Sequence, residues 1–213
     1  MKISIIGPGI MPIPPTGWGA VEILIWDQKL ALEKLGHEVD IVNTKSPIEI
    51  VQKVNAYRPD FVHIQYDDFI ELYPYIQYPC AITSHFGYLE QSNKWGYYHD
   101  RIVKPFQRIS PKIFCLSDGE AHPLVCMEAL AAGLGVVVCE YGAANLDTTK
   151  DFITVIPESK INDIQYLEEE IIKNREYSIV HRDAIIQYAL NFDWVNVIKD
   201  RYIPCVEDLI SKI

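Results

Sequence analysis

The sequence predicts an α/β fold built on a doubly wound, mostly parallel sheet. Short apolar runs alternate with helical patterns along the 213 residues, which is typical of parallel strands joined by helical crossovers. The first run, from Lys2 to Ile6, shows no polar alternation beyond Ser4, as expected for a strand that is buried on both faces. Glycines and prolines between the runs indicate loops. This arrangement is Rossmann-like.

The first half of the chain is predicted to contain four strands and two helices. After a loop from Gly7 to Gly19, the first helix has its apolar residues on one face, with Gln28 inside that face and Gly36 at its end. The stretch from Glu71 to Tyr78 contains a proline and is predicted to be a loop or a broken helix. In chain order, the strands are Lys2 to Ile6, His37 to Val42, Asp60 to Gln65 and Ala81 to Ser84, and the second helix is Pro47 to Tyr57.

The second half continues the alternation of strands and helices. Pro204 is expected to kink or break the last helix, because proline has no N–H group to donate. We expect an N-terminal Rossmann-like domain over residues 1–117 and an abbreviated C-terminal domain over residues 118–213. The elements predicted here are a helical stretch from Trp95 to Ile109 that is interrupted by Pro105, a strand from Ile113 to Leu116, a helix from Pro123 to Ala132, strands from Val136 to Cys139 and from Phe152 to Ile156, and helices from Asp163 to Asn174 and from Ile179 to Ser211.

Composition excludes several classes of function. The formal net charge of −10 argues against a nucleic-acid partner, because such partners need a basic surface. No apolar run approaches the roughly 20 residues that cross a bilayer, and the N-terminus resembles a strand rather than a signal peptide. The five cysteines form no CxxC pair, which argues against a zinc site or a disulfide framework. A cytoplasmic location fits reduced cysteines best.

One basic cluster precedes the strand at Ile113. It consists of Arg101, Lys104, Arg108 and Lys112. The favoured interpretation is a solvated helix face, and a patch for an anion or a weak membrane-surface contact is the alternative.

Two segments have the features of a binding site. The first contains Gly17 and Gly19, which follow the first strand and open a helix, so that the backbone can approach a ligand and the helix start offers free N–H groups. Its spacing matches neither GxGxxG nor GxxxxGK[ST], and a tight connection without a ligand remains the alternative. In the second, Pro123 suits a first helical turn, and the N–H groups of Leu124 and Val125 are then available for a diphosphate.

Two carboxyl groups flank this second helix start. Glu120 precedes the turn and Glu128 lies about one and a half turns into the helix. Carboxylates accept hydrogen bonds from hydroxyl groups, so the pair suits ligands such as a sugar and a ribose. An Ala- and Leu-rich helix with one Glu is also common without any ligand.

These segments together resemble a known family. The spacing Glu-x7-Glu is followed by Glu-Ala-Leu-Ala-Ala-Gly and a Val-rich strand, and the early segment reads Pro-Pro-Thr-Gly-Trp-Gly-Ala-Val-Glu. Further matches are Leu-Gly-His-Glu-Val before the second strand, Asp-Phe-Val-His at 60–63, Thr-Ser-His at 83–85 and Asn-Phe-Asp-Trp at 191–194. In combination they make the chain similar to retaining glycosyltransferases of the family-4 type, with a GT-B-like fold.

The resemblance implies roles on the donor side of a nucleotide-sugar site. Glu120 is then expected to bind hydroxyl groups of the transferred sugar, and Glu128 the ribose hydroxyls. The backbone N–H groups near Leu124 and Val125 are expected to hold the diphosphate, with His122 beside them.

It also implies roles near the reacting centre. Gly17 and Gly19 are expected to approach the donor phosphates, and His85 is expected to lie close to the transferred sugar. His63 is predicted to be a buried structural histidine instead. The implied reaction proceeds with retention of configuration, with no cofactor, and without a metal ion, in agreement with the absence of an Asp-x-Asp motif.

The chain is shorter than members of this family. The stretch that normally supplies an Arg and a Lys to the leaving diphosphate has no counterpart before Glu120, so one member of the basic cluster is expected to replace them. Two functions follow: sugar transfer from a nucleotide-sugar to a glycan, lipid or small-molecule acceptor, or a catalytically impaired binding or assembly protein. A homo-oligomer is expected in the second case, since an incomplete domain exposes apolar surface.

Overall fold

The structure is a computed structural model, and it describes residues 1–85, 96–115, 124–143 and 146–212. The chain divides into two compact units. The first comprises Met1–Leu116 together with Trp194–Ile213, and the second comprises Ser117–Asp193.

The first unit is built on a five-stranded parallel sheet. Its strands are β1 (Lys2–Gly7), β2 (Glu38–Asn43), β3 (Phe61–Ile64), β4 (Cys80–Ser84) and β5 (Ile113–Cys115), in the order β2-β1-β3-β4-β5. In this register Ile5 lies opposite Ile41 on β2 and opposite His63 on β3. Because every pair is parallel, the carboxyl ends of the strands share one edge, where ligands of open α/β sheets bind.

Helices cover both faces of this sheet. On one face, α2 (Pro47–Tyr57), α3 (Lys104–Ile109) and a 3₁₀ helix at Asp67–Tyr75 pack on alternate strand residues that include Ile6, Ile64 and Ile82. On the other face, α1 (Ala20–Lys34) and the C-terminal helices pack on the intervening residues, which include Ile3, Ile5 and Phe61. The predicted doubly wound, Rossmann-like parallel sheet is therefore confirmed.

The helix bounds follow local signals where such signals exist. Helix α2 begins at Pro47 because the Ser46 side chain accepts a hydrogen bond from the Glu49 N–H, and it ends at Arg58, which has a left-handed conformation. The segment from Trp95 to Ile109, predicted to be helical with an interruption at Pro105, is divided just before this proline. Its described part runs from a short 3₁₀ turn at Gly96–Tyr98 through a π-helical turn at His99–Val103 into α3.

The C-terminal helices belong to the first unit. Helix α7 (Trp194–Val197), a π-helical turn at Ile198–Tyr202 and α8 (Ile203–Ser211) form its last segment. Ile198 and Val206 are buried in the core beneath β1 and β3, and the Tyr202 ring packs edge-on against Phe61. These contacts place residues 194–213 with the N-terminal unit, in contrast to the predicted division into 1–117 and 118–213.

In its described residues, the second unit contains a small parallel sheet and three α-helices. Strands β6 (Val136–Cys139) and β7 (Ile153–Ile156) pair with each other, and α4 (Leu124–Ala131), α5 (Ile164–Val180) and α6 (Arg182–Ala189) accompany them. Helix α5 continues past the predicted end at Asn174, and α6 is separate from the C-terminal helices. The boundaries between these helices lie at His181 and Asp193. Neither has a glycine or proline beside it that would have marked it in the sequence.

Helix α5 lies close against β6 because Gly135 has no side chain. A Cβ atom at Gly135 would lie 2.3 Å from Asn174 Oδ1 and 2.4 Å from Ser178 Oγ. The Asn174 amide donates to the Val136 carbonyl at 3.2 Å and to Thr154 Oγ1 at 3.0 Å. The buried face of α5 is thus fixed to both strands of the small sheet.

Candidate functional site

The polar carboxyl edge of the first sheet contains His85. The residue directly follows β4, and its backbone N–H donates to Asp67 Oδ2 at 3.2 Å. The Nε2 atom lies 2.8 Å from Gln65 Oε1, at the end of the neighbouring strand β3. Burial lowers the pKa of His85 to about 4, and a hydrogen bond with Gln65 opposes this only in part. The imidazole is therefore neutral at pH 7.

A continuous chain of hydrogen bonds leads from His85 into the core. Gln65 Nε2 donates to Gln28 Oε1 at 2.7 Å, Gln28 Nε2 lies 3.2 Å from His63 Nδ1, and His63 Nε2 lies 2.6 Å from Thr83 Oγ1. This network assigns the proton of both imidazoles to Nε2. His85 then donates to Gln65, and its Nδ1 is left as an acceptor without a partner among the described residues.

His63 is structural, as predicted. It is buried in β3, its ring stacks on Tyr202 with the centroids 5.5 Å apart, and the Tyr202 hydroxyl lies 3.2 Å from Nδ1. Burial and, to a smaller extent, the neighbouring His85 lower the pKa of His63 to about 3. Gln28 is the polar residue inside the apolar face of the predicted helix. Its side chain is buried and forms hydrogen bonds with both His63 and Gln65.

Asp67 is a buried acidic residue of the same edge that contacts the His85 backbone. Its side chain is only 2% exposed, and its Oδ1 atom is buried without a hydrogen-bond partner among the described residues. Burial raises its pKa to about 6, although hydrogen bonds from the Ser84 side chain and the His85 N–H act in the opposite direction. Asp67 fixes the backbone of His85 and so sets the position of the imidazole.

The buried groups of this edge make stability depend on pH. His63 and His85 have folded pKa values of about 3 and about 4, below the ordinary 6.5, so below pH 6.5 the unfolded chain binds two protons that the folded chain excludes. Asp67, with a raised pKa of about 6, binds a proton in the folded chain and cancels one of them. Between pH 6 and pH 4.5 the free energy of unfolding is expected to fall by up to about 1.4 kcal/mol per pH unit.

The measurement is urea unfolding of the first unit from pH 7 to pH 4.5, followed by tryptophan fluorescence. The variant His63→Gln should flatten the pH dependence, whereas His181→Gln, which removes an exposed histidine of the second unit, should leave it unchanged. An identical slope in His63→Gln and wild type would contradict the assignment.

The loop after β1 leads to Gly17 and Gly19 at the same edge. Asn43, at the end of β2, anchors this loop by accepting from the Gly9 N–H at 2.7 Å and donating to the Met11 carbonyl at 2.8 Å. Gly17 is open to solvent, and Trp18 beside it is 83% exposed. The loop therefore presents a bare backbone and an aromatic ring together.

Gly19 marks the start of α1. It is the N-cap, its carbonyl accepts from the Ile23 N–H at 2.9 Å, and no side chain caps the helix. The buried Glu22 carboxyl group lies against it, 2.9 Å from the position of a Cβ atom at Gly19. A larger residue at Gly19 would displace this carboxyl group, which explains the glycine. Because an acidic side chain already lies at this helix start, a hydroxyl group fits it better than a second anion.

Three members of the basic cluster have acidic partners on their own unit. Arg101 pairs with Asp68, Lys104 with Asp100 and Arg108 with Glu71. The Lys104 and Arg108 pairs are exposed on both sides, where the free energy of an ion pair is small, whereas the Asp68 side chain is only 19% exposed. Arg101 is the member nearest the candidate edge, since Asp68 is adjacent to Asp67.

The second unit contains the predicted donor-side residues. Glu120 and His122 lie outside the described residues. The helix was predicted from Pro123 to Ala132, and Pro123 lies outside the described residues. Within α4 (Leu124–Ala131), Val125 and Glu128 are exposed on one face, while Cys126 and Leu130 face the core. Exposure leaves the Glu128 carboxyl group accessible to a ligand.

The end of α4 is fixed by Gly133. This residue has a φ of +76°, its N–H donates to the Leu130 carbonyl at 2.9 Å, and the Leu134 N–H donates to the Ala129 carbonyl at 2.9 Å. This double hydrogen bond is the Schellman motif, which glycine adopts without strain.

Sequence reasoning did not identify Gln65, Asp67 or Asn43 as parts of the site. No local pattern marks them, since they become neighbours of His85 and of the glycine loop only through the order of the strands. In residues 1–85, 96–115, 124–143 and 146–212, no group of three His, Cys, Asp or Glu residues is arranged to hold a metal ion. None of the helices in these ranges is both long and apolar enough to cross a membrane.

Comparison with known proteins finds similarity at the level of the fold. No family model and no curated protein sequence matches the chain. Among solved structures, the chain is similar to AviGT4, a glycosyltransferase involved in avilamycin A biosynthesis, with a TM-score of 0.58. The alignment covers 100% of this chain and 98% of that chain, at 14% sequence identity. The similarity shows a shared Rossmann-like fold of the kind found in GT-B glycosyltransferases.

Proposed function

We propose that this protein is a glycosyltransferase that moves a sugar from a nucleotide-sugar to a hydroxyl acceptor with retention of configuration. The observation that supports it most is the neutral, positioned His85 at the carboxyl edge of a sheet whose fold is shared with a glycosyltransferase. The sequence motifs at 14–22 and 120–128 point to the same reaction. The reaction needs no metal and no cofactor in this proposal.

On the first unit, His85 orients hydroxyl groups of the reacting sugars. Its Nδ1 atom accepts a hydrogen bond, and Gln65 and Asp67 hold the ring and the backbone in place. A neutral imidazole suits this role, because a charged one would have to be desolvated next to a developing positive charge on the sugar. Gly17 and Gly19 allow the donor to approach the backbone of the loop.

On the second unit, the start of α4 holds the diphosphate through backbone N–H groups near Leu124 and Val125, with His122 beside it. Glu120 binds the transferred sugar and Glu128 binds the ribose. In the transfer step the bond from the anomeric carbon to the diphosphate oxygen breaks, and a bond to the acceptor oxygen forms on the same face. The acceptor proton passes to the leaving diphosphate, so the step needs no further base.

The leaving diphosphate also requires positive charge, which is worth several kcal/mol of barrier in such sites. Arg101 is the best candidate within the basic cluster, because its partner Asp68 lies beside Asp67 at the candidate edge. An arginine can grip a phosphate with two parallel hydrogen bonds. The Arg101 side chain is 58% exposed, so that a phosphate can reach it, whereas its partner Asp68 is only 19% exposed.

The acceptor in this proposal is a glycan, a lipid or a small molecule of the cytoplasm. The exposed Trp18 ring beside Gly17 offers a flat apolar surface on which a sugar ring can stack. A lipid acceptor would require a weak membrane-surface contact.

The donor-side assignment predicts the effect of Glu128→Ala. Loss of the carboxyl group is expected to weaken binding of a nucleoside diphosphate by about 1–3 kcal/mol, because ribose hydroxyls are left unpaired. Isothermal titration calorimetry with UDP and GDP measures this directly.

The matched control is Glu176→Ala, which removes another exposed carboxyl group from the second unit and should leave affinity unchanged. Unaltered affinity in Glu128→Ala would count against the site. Absence of binding of either nucleotide by wild-type protein would favour the binding or assembly protein instead.

A further inference from the structure

Helix α5 has an exposed apolar stripe that the small sheet does not cover. Its members are Ile164, Ile171, Ile172 and Ile179, which are between 48% and 81% exposed. At about 100° per residue they lie within an arc of roughly 100° on the helix surface. The face that packs on β6 and β7 carries Asn174 and Ser178 and lies to one side of this arc. We call these four isoleucines the α5 stripe.

Two opposite charges lie inside the α5 stripe. Glu168 and Arg175 are both exposed, and neither is in an ion pair in the described part of the chain. Seven residues separate them, which is about 10 Å along the helix axis. They are therefore too far apart to pair with each other.

The α5 stripe is symmetric about its midpoint between residues 171 and 172. Ile164 and Ile179 are equidistant from that midpoint, and so are Glu168 and Arg175, and Ile171 and Ile172. When a helix pairs with an antiparallel copy of itself, each residue faces its mirror-related position. Isoleucine then meets isoleucine at both ends and at the centre, and each Glu168 meets an Arg175 of the second copy.

We propose that the α5 stripe is the contact surface of a homodimer, in which two copies of α5 pack antiparallel across a twofold axis. Four isoleucines from each copy bury their exposed surface, and two intermolecular ion pairs fix the register. The pairing of charges argues for a second copy of this chain rather than for a lipid surface, since an acidic side chain at the centre of the stripe opposes insertion into an anionic membrane. The inference is independent of the proposed function.

The dimer contact is one helix face, so association should depend on concentration. Sedimentation velocity of the wild-type protein is expected to show monomer near 1 µM and dimer near 500 µM, on the order of what so small an interface supports. The variant Ile171→Arg should stay monomeric over this range. The matched control Val180→Arg changes an exposed apolar residue outside the stripe and should dimerise like wild type.

Charge reversal gives a sharper test of the register. Glu168→Arg alone and Arg175→Glu alone each place like charges opposite one another, and the dissociation constant should rise at least about tenfold. An equimolar mixture of the two variants pairs opposite charges at both positions and should dimerise again. Circular dichroism is the control for folding of each variant. We expect all of them to be folded, because the changed side chains are exposed.

Restored dimerisation in the mixture, with loss in each variant alone, supports the proposal. A wild-type protein that is still monomeric at about 500 µM, roughly the upper limit set by the expected affinity, would overturn the proposal. The stripe would then have an occupant other than a second copy. A dimer that survives Ile171→Arg would overturn the proposal as well.

Discussion

Replacing Phe61 with alanine is expected to lower the free energy of unfolding of the first unit by about 3–5 kcal/mol. Phe61 is fully buried in β3, and its ring packs edge-on against Phe114 of β5 and Tyr202 of the C-terminal segment, with centroid distances of 6.4 Å in both cases. The change leaves a cavity where the sheet meets the last helices. It therefore weakens both the sheet and the attachment of residues 194–213.

Tryptophan fluorescence during urea unfolding isolates this effect. All four tryptophans lie in the sequence of the first unit, so the signal does not report on the second. The control is Ile48→Ala, which shortens an exposed side chain at the start of α2 and should change stability by less than about 0.5 kcal/mol. A loss below about 1 kcal/mol in Phe61→Ala would be inconsistent with the aromatic cluster as the anchor of the C-terminal helices.

The variant His85→Ala is expected to reduce sugar transfer by about 100-fold or more per folded molecule, in the range found for positioned catalytic side chains. The imidazole lies at the carboxyl edge of the sheet and is neutral, and its removal deletes the acceptor that orients a sugar hydroxyl. The variant Gln65→Ala frees the imidazole without deleting it. We expect a smaller loss there, of about tenfold.

These two variants also distinguish catalysis from structure. Should His85 only satisfy the hydrogen bonds of Gln65 and Asp67, His85→Ala would lower stability while the rate per folded molecule stayed near that of wild type. Rates are therefore divided by the folded fraction measured by urea unfolding at the assay pH. Wild-type rates in folded His85→Ala would remove His85 from the mechanism.

Local patterns were sufficient to predict the strands of the first unit. The apolar runs at β1, β3 and β4 are buried on both faces, so their composition alone distinguishes them from the surface. The helix from Pro47 to Tyr57 could be predicted to the residue, because Ser46 and Pro47 mark its start. These elements make up most of the doubly wound sheet, which the structure confirms.

Contacts between distant parts of the chain could not be predicted in this way. His63 and Tyr202 are 139 residues apart, and nothing near Tyr202 indicates which unit its helix joins. The break between α5 and α6 at His181 lacks a glycine or proline, so two helices were not separated at the correct place.

The candidate site likewise has features that the sequence predicts and features that depend on the fold. His85 could be placed at the end of a strand from its sequence, but its neutral state could not be predicted, because that state depends on burial by the fold. No sequence pattern around Asp67 indicates burial, yet the fold buries its carboxyl group, which accepts from the His85 N–H. The roles of Glu120, His122, Leu124, Val125, Glu128, Gly17 and Gly19 remain proposals of the sequence resemblance.

The measurement that tests the central claim most directly is turnover of nucleotide-sugars by the wild-type protein. UDP-, GDP- and ADP-sugars are incubated with it and with simple glycoside acceptors, and release of the nucleoside diphosphate is followed together with the anomeric configuration of the product. We expect release from at least one donor, a product with the configuration of the donor, and loss of release in His85→Ala. No release from any donor, or a product of inverted configuration, would contradict the proposal of a retaining glycosyltransferase.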